Sequence, residues 1–167
     1  MKIQKGFTLI ELLIVVAIIG LLATLAIVSL TSAQQRARDT KRVADAKAIQ
    51  TALELYWNAN ADYPLIPVGK TWTTLGSDVS AYMSAIPVDP DHDTGTYYDY
   101  LLNGTNNDQY YIGVILENSN HSSLNQDVDG SVGGVGWVRL NSNDARTVDA
   151  NLQCNDPVYC LSGDSTL

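Results

Sequence analysis

The sequence predicts an α+β protein in which a long N-terminal helix, membrane-spanning in its first half and amphipathic in its second, packs on a small antiparallel sheet. Three observations predict it. Residues 7–30 are apolar except for one acid, residues 21–61 contain neither proline nor glycine, and from Tyr98 onward the apolar period changes from helical to two. A chain of 167 residues has room for one ordinary core plus an appended helix, and hardly for two independent domains.

The apolar run FTLIELLIVVAIIGLLATLAIVSL fills positions 7–30, and as a helix it is about 36 Å long, enough to cross a bilayer. The basic opening Met1, Lys2, Ile3, Gln4, Lys5, Gly6 has the look of a signal peptide. The run is too long for an ordinary h-region, however, and lacks a convincing small-residue cleavage site after it. Glu11 is its one ionisable side chain. An acid in a spanning helix costs roughly 2.5–3.5 kcal/mol at the centre and less near an end, so a sequence that carries one has a use for it. A cut between Gly6 and Phe7 would place a new α-amine about one helical turn from Glu11, a spacing at which the two groups pair. Tied to its own backbone, that amine is better offered by a neighbouring copy shifted along the axis, which would set the register of an assembly.

Lys5, Gly6, Phe7, Thr8, Leu9, Ile10, Glu11 and Leu12 resemble the processing signal of type IV pilins and type II secretion pseudopilins. The resemblance implies that a membrane prepilin peptidase cuts after Gly6 and methylates the amine of Phe7, and that Glu11 docks the subunit into a growing filament. Gly20 stands where such helices often carry glycine; Val28 stands where many relatives have a helix-bending proline, a departure from the pattern. The division that follows is a leader (1–6), a transmembrane and filament-core helix (7–30), an amphipathic continuation (31–60) and a globular head (61–167).

The helix is expected to run to about Asn58 or Asn60, since Ala, Gln, Arg, Lys and Leu dominate its second half. Ala46, Ile49, Ala52, Leu53 and Tyr56 form a stripe at spacings of three and four that should pack on a sheet. The basic cluster at 36–42 reads as a lipid-headgroup belt or a set of partners for acids on neighbouring subunits, with surface pairing to Asp39 and Asp45 as the plain alternative. Pro64 ends the helix and Asn60 is the candidate left-handed cap. Positions 65–95 read as loop with one short helix near 77–84. Tyr98, Tyr100 and Leu102 then alternate with Tyr97, Asp99 and Leu101, and Tyr110, Ile112, Val114 and Leu116 share one face, giving a hairpin across a polar turn at 103–108. Trp137 to Leu140 is a third strand.

Charge is divided unevenly. Residues 1–47 hold seven Lys/Arg against three acids, net +4, and residues 48–167 hold three against fifteen, net −12, so the distal part repels nucleic acid and anionic lipid. A plain positive-inside count would leave the C-terminal part in the cytoplasm, because the basic residues after the apolar run outnumber Lys2 and Lys5. The cysteine pair and the processing signal overrule it and point to a single-pass bacterial inner-membrane precursor with an outward head. Cys154 and Cys160, the two cysteines, are compatible with one disulfide in an oxidising compartment, worth about 2 kcal/mol for so short a loop.

Asp127, Asp129, Gly130 and Ser131 have the opening rhythm of a calcium loop without its closing Glu. Resemblance to major pseudopilins, whose heads hold calcium in a C-terminal loop, implies Asp127, Asp129 and Ser131 as ligands; from the residues alone a plain acidic turn stands ahead. Asp89, Asp91 and Asp93 suit a solvated loop. The glycine-rich 130–136 stretch lacks the Lys-Ser/Thr ending of a phosphate cradle and reads as a flexible loop. His92 and His121 have no second ligand at metal spacing, two Asn-X-Ser/Thr matches are short enough to arise by chance, and no nucleophile, base and orienter stand out as an enzyme would need.

Asp62, Tyr63 and Pro64 at the helix end, then Ile86, Pro87, Val88, Asp89 and Pro90, look like the type II secretion major pseudopilin, whereas the cysteine pair resembles the disulfide-closed loop of type IV pilins. The resemblance implies a structural subunit of a helical homopolymer, not an enzyme. Its partners would be its own copies, prepilin peptidase, the inner-membrane assembly platform and, before assembly, membrane lipid. A secretion pseudopilus leads, a surface pilus for adhesion or motility is the alternative, and a membrane-anchored ligand-binding module is the rival from another class.

Overall fold

The computed structural model describes residues 7–91, 98–141, 146–148 and 150–164. Two compact units emerge, Met1–Ala37 and Arg38–Leu167. A single helix, α1 (Leu9–Asn60), runs through both. In the first unit every residue from 7 to 37 is exposed. In the second, Val43, Ala46, Ile49, Ala52 and Leu53 are buried against the sheet, and Tyr56 packs at the edge of the same core. The stripe thus falls where its spacing placed it. α1 stops at Ala61, whose φ of 54° makes it the left-handed residue; Asn60, the expected cap, stays helical and donates from Nδ2 to the Tyr56 carbonyl at 2.8 Å.

α2 (Trp72–Asp78) begins five residues before the expected short helix. Thr71 and Thr74 form a reciprocal cap, with Thr71 Oγ1 accepting from Thr74 N–H at 3.1 Å and Thr74 Oγ1 accepting from Thr71 N–H at 2.9 Å. That cap, and the burial of Trp72 and Leu75, decide the start. Positions 79–82 form turns instead.

Five strands make an antiparallel sheet: β1 (Asp99–Asn103), β2 (Gln109–Ile115), β4 (Trp137–Asn141), β5 (Arg146–Val148) and β7 (Val158–Asp164), ordered β5-β4-β1-β2-β7. The expected hairpin and third strand are its centre. Tyr100 sits opposite Ile112 and Leu140, and Leu102 opposite Tyr110 and Val138, so Tyr100, Leu102, Tyr110, Ile112, Val114 and Leu140 share the face that meets α1. The other face is covered too. β3 (Gly130–Gly133) and β6 (Asn151–Cys154) pair as a separate ribbon, and Leu101, Ala150, Leu152, Cys154 and Cys160 close a second small core beneath it. Gly113 has no side chain because Leu152 lies there; a Cβ would stand 2.8 Å from its Cδ2. The 130–136 stretch is therefore part strand, not wholly loop. Its Gly133, at φ 98°, passes so close that a Cβ would meet the Ala150 carbonyl oxygen at 2.4 Å.

Candidate functional site

The N-terminal end of α1 is built around Thr8 and Glu11. Glu11 Oε2 accepts from the Thr8 N–H at 2.9 Å and from its hydroxyl at 2.6 Å, while the Glu11 N–H donates to Thr8 Oγ1 at 3.3 Å. This is a capping box: the carboxylate satisfies donors left over at the helix start and lies at the positive end of the helix dipole. Glu11 is thereby held in the first turn of an exposed apolar helix. Gly6 lies outside the described residues.

A second constellation occupies the start of the head. Arg42 is fully buried, its guanidinium donating to both oxygens of Asp89 (2.8 and 3.1 Å), to Asp39 Oδ1 (3.0 Å) and to Glu117 Oε1 (2.8 Å). Arg38 grips Glu117 bidentately, both distances 2.6 Å. Asp39 also accepts the backbone N–H groups of Glu117 and Asn118 at 2.9 and 3.0 Å, and Asp89 accepts from Asp91 N–H at 2.8 Å. Burial works against the Arg42 charge, but hydrogen bonds to Asp89, Glu117 and Asp39 raise its pKa above the ordinary guanidinium value. Hydrogen bonding from Arg38 holds the Glu117 carboxyl down at about 2. The 36–42 cluster is thus not a uniform belt: Arg42 ties α1 to the loop at Asp89 and the end of β2. Nor is Asp89 a solvated loop residue. It is 1% exposed and paired.

The third constellation gathers acids and the disulfide. Cys154 and Cys160 are bonded, with a Cα–Cα distance of 5.7 Å. Carboxylate oxygens of Asp127, Asp129 and Asp156 all lie within 4.8 Å of one another. Asp127 Oδ2 accepts the Cys160 N–H at 2.9 Å, whereas its Oδ1 is buried with no hydrogen-bond partner. Burial, with help from Asp129, raises the Asp127 pKa. Ser131 Oγ accepts from Gln153 Nε2 at 3.0 Å across the ribbon. An orphaned buried oxygen within a group of hard oxygen donors fits a calcium ion. Asp156 was missed in the sequence because 25 residues separate it from Ser131; only the pairing of β6 and the turn to β7 bring it near.

His121 caps the 3-10 helix Ser122–Gln126, its Nδ1 accepting from Ser123 N–H at 3.3 Å, and His92 and Asp93 lie outside the described residues. An open hollow of about 320 Å³ beside α2, lined by Trp72, Gly76, Ser80, Ser84, Ile86 and Val88 among others, has no ionisable side chain in its wall.

Residues 1–27 match the family model of the prokaryotic N-terminal methylation motif. The chain is also 36% identical over 127 residues to the type II secretion system core protein G of Pseudomonas aeruginosa, covering 66% of this chain and 84% of that protein. The chain belongs to the type II secretion system core protein G family. The core protein G of Vibrio cholerae is 32% identical over 112 residues, 62% of this chain and 75% of that one. A fimbrial protein of Pseudomonas aeruginosa is 38% identical over 112 residues, 67% of this chain and 61% of the other, so both resemblances drawn from the sequence have a counterpart. No solved structure gives a significant match. Membership in the core protein G family agrees with the observed architecture, a long N-terminal helix on an antiparallel sheet, and its methylation motif and apolar helix fit a membrane-anchored precursor.

Proposed function

We propose that this chain is a major pseudopilin: a structural subunit, not an enzyme, that is cut between Gly6 and Phe7, methylated on Phe7 and added through Glu11 to a helical homopolymer of a secretion machine. The observation that carries the reading is Glu11, a carboxylate held at the start of an exposed apolar helix, in a chain related to core protein G over most of that protein's length. Before assembly lipid covers the helix; in the filament the same surface meets neighbouring helices. The head faces away from the cytoplasm, and the inner-membrane platform is the partner that delivers subunits. Open growth requires a heterologous contact that does not close on itself.

Intact mass and N-terminal sequencing of the protein from membranes containing prepilin peptidase test the processing step. A chain starting at Phe7 and heavier by one methyl group, left uncut in Gly6→Ala, is the expected result; retention of residues 1–6 in the wild type refutes it. Glu11→Ala is expected to be cut normally and to be absent from filaments. Replacing residues 7–30 by an unrelated anchor with retention of function would instead support the anchored binding module.

The orphaned Asp127 Oδ1 supports a calcium reading for the head, with Asp127, Asp129 and Asp156 as the carboxylate ligands. Bound calcium would supply two positive charges that offset most of the charge of the three acids and would fix the loop between β3 and the preceding 3-10 helix. Calcium titration of the chain, followed by a rise in thermal midpoint, tests it.

A further inference from the structure

The disulfide and the acid cluster share one piece of backbone. Cys154 ends β6, where it pairs with Gly130, the residue directly after Asp129. Cys160 lies in β7, where its N–H donates to Asp127 Oδ2 at 2.9 Å and its carbonyl accepts from Val128 N–H at 3.1 Å. The two cysteines therefore grip the 127–130 segment from both sides, and the five residues between them carry Asp156. Both cysteines are fully buried, while Asp129 and Asp156 are exposed.

We infer that disulfide closure and calcium binding are coupled in this chain: the Cys154–Cys160 bond builds the calcium site by fixing Asp156 against Asp127 and Asp129, and bound calcium in turn holds the cysteines oxidised. The inference rests on the calcium reading proposed above. With the bond closed, three carboxylates are held within 4.8 Å and repel one another unless a cation lies between them. With the bond open, the turn at 155–157 is still held by backbone hydrogen bonds, Leu116 N–H to the Pro157 carbonyl at 2.9 Å and Val158 N–H to the Asn155 carbonyl at 3.0 Å, but Asp156 has more room to move from the other two acids, which relieves the repulsion and weakens the ligand set. The cation thus finds its site prepaid in one redox state and must order it in the other. Linkage makes the effect reciprocal. The exchange is balanced with glutathione: the two chain thiols and one oxidised glutathione give the chain disulfide and two reduced glutathiones, with two electrons and two hydrogens passing to the glutathione sulfurs.

The test uses the processed full chain in detergent micelles. Calcium chloride is titrated calorimetrically into the oxidised and the reduced chain, and the thiol-disulfide equilibrium is measured in glutathione buffers with and without calcium by alkylation and intact mass. The oxidised chain is expected to bind calcium at least tenfold more tightly. The glutathione equilibrium should then favour the disulfide tenfold more when calcium is present, about 30 mV for a two-electron couple. Asp156→Asn, read in the oxidised state so that reduction cannot confound it, should weaken calcium at least tenfold while the disulfide still forms. Equal calcium affinity in both redox states with an unmoved glutathione equilibrium overturns the coupling and leaves the calcium reading intact, and so does an Asp156→Asn chain that binds as tightly as wild type. An oxidised chain that takes up no calcium overturns both.

Discussion

Replacing Arg42 by methionine removes the cation at the centre of the buried network while keeping a side chain of similar reach. The substitution deletes four hydrogen bonds, two to Asp89, one to Asp39 and one to Glu117. The consequences differ among the three acids. Glu117 keeps its bidentate contact with Arg38, and Asp39 keeps two backbone donors. Asp89 loses both guanidinium contacts and keeps the Asp91 N–H, but no cation balances its charge while it remains 1% exposed. Breaking a buried ion pair from one side costs about 3–5 kcal/mol because the remaining charge is left buried without its counter-ion, a large part of the 5–15 kcal/mol typical of a whole domain. Arg38→Met is the control. Arg38 is one-third exposed and its partner Glu117 retains Arg42, so its loss should cost about 1 kcal/mol or less. Urea unfolding followed by Trp fluorescence reports the head, since Trp72 is 2% exposed. Adding Asp89→Leu to Arg42→Met should recover stability, with a coupling of about 2 kcal/mol or more in the double-mutant cycle. Equal costs for Arg42→Met and Arg38→Met, or a cycle that closes without coupling, would refute the view that this network works as a buried unit.

Three further outcomes follow from the same structure. Glu117 has its pKa lowered from 4.5 to about 2 by Arg38 and then Arg42, so its contribution is complete above pH 4.5 and lost as pH falls from there through about 2; the urea midpoint should drop in that window and Glu117→Gln should flatten the drop. Burial raises the Asp99 carboxyl from 3.8 to about 6, with Arg139 as a weak counterweight at 3.8 Å. Its ionisation therefore opposes folding as pH rises from 3.8 through 6, and Asp99→Asn should stabilise the head by about 1–2 kcal/mol at pH 7.5 and scarcely at pH 4. Gly163→Ala would put a Cβ 2.1 Å from Tyr110 Cε1 and 2.5 Å from Glu54 Oε1, displacing the 2.6 Å Tyr110–Glu54 hydrogen bond. It should cost about 1–3 kcal/mol in thermal unfolding, while Gly20→Ala, with nothing within 4 Å of the new carbon, leaves the head unchanged.

What was legible in the sequence was periodic or local. The α1 stripe and the alternation in β1 and β2 are properties of spacing, and they placed Ile49, Leu53, Tyr100 and Ile112 on the buried face without any knowledge of partners. Glu11 was legible because a lone charge in an apolar run is conspicuous. The second core was not. The alternation sets Leu101 on the face opposite Tyr100 and says nothing of what covers it; the β3–β6 ribbon, whose strands are short and polar at alternate positions, buries that face. Arg42 had the same fate: among five basic neighbours nothing local marks the one that will meet Asp89, 47 residues away. Asp156 meets Asp127 through strand pairing and the Cys154–Cys160 closure, neither of which composition encodes.

The exposed apolar half of α1 has a consequence for the energetics of growth. A subunit leaving the bilayer for a filament core exchanges one oily solvent for another, because lipid chains and packed leucines are equally apolar. Burying residues 7–30 among neighbours therefore gains little from water, having never been in it. On the proposed assembly, the free energy that favours a filament would have to come from close side-chain packing, from pairing of Glu11 with a neighbour's amine, and from contacts between heads in water. A fibre built on those terms would sit near balance between filament and membrane, because neither solvent for the apolar helix is favoured over the other.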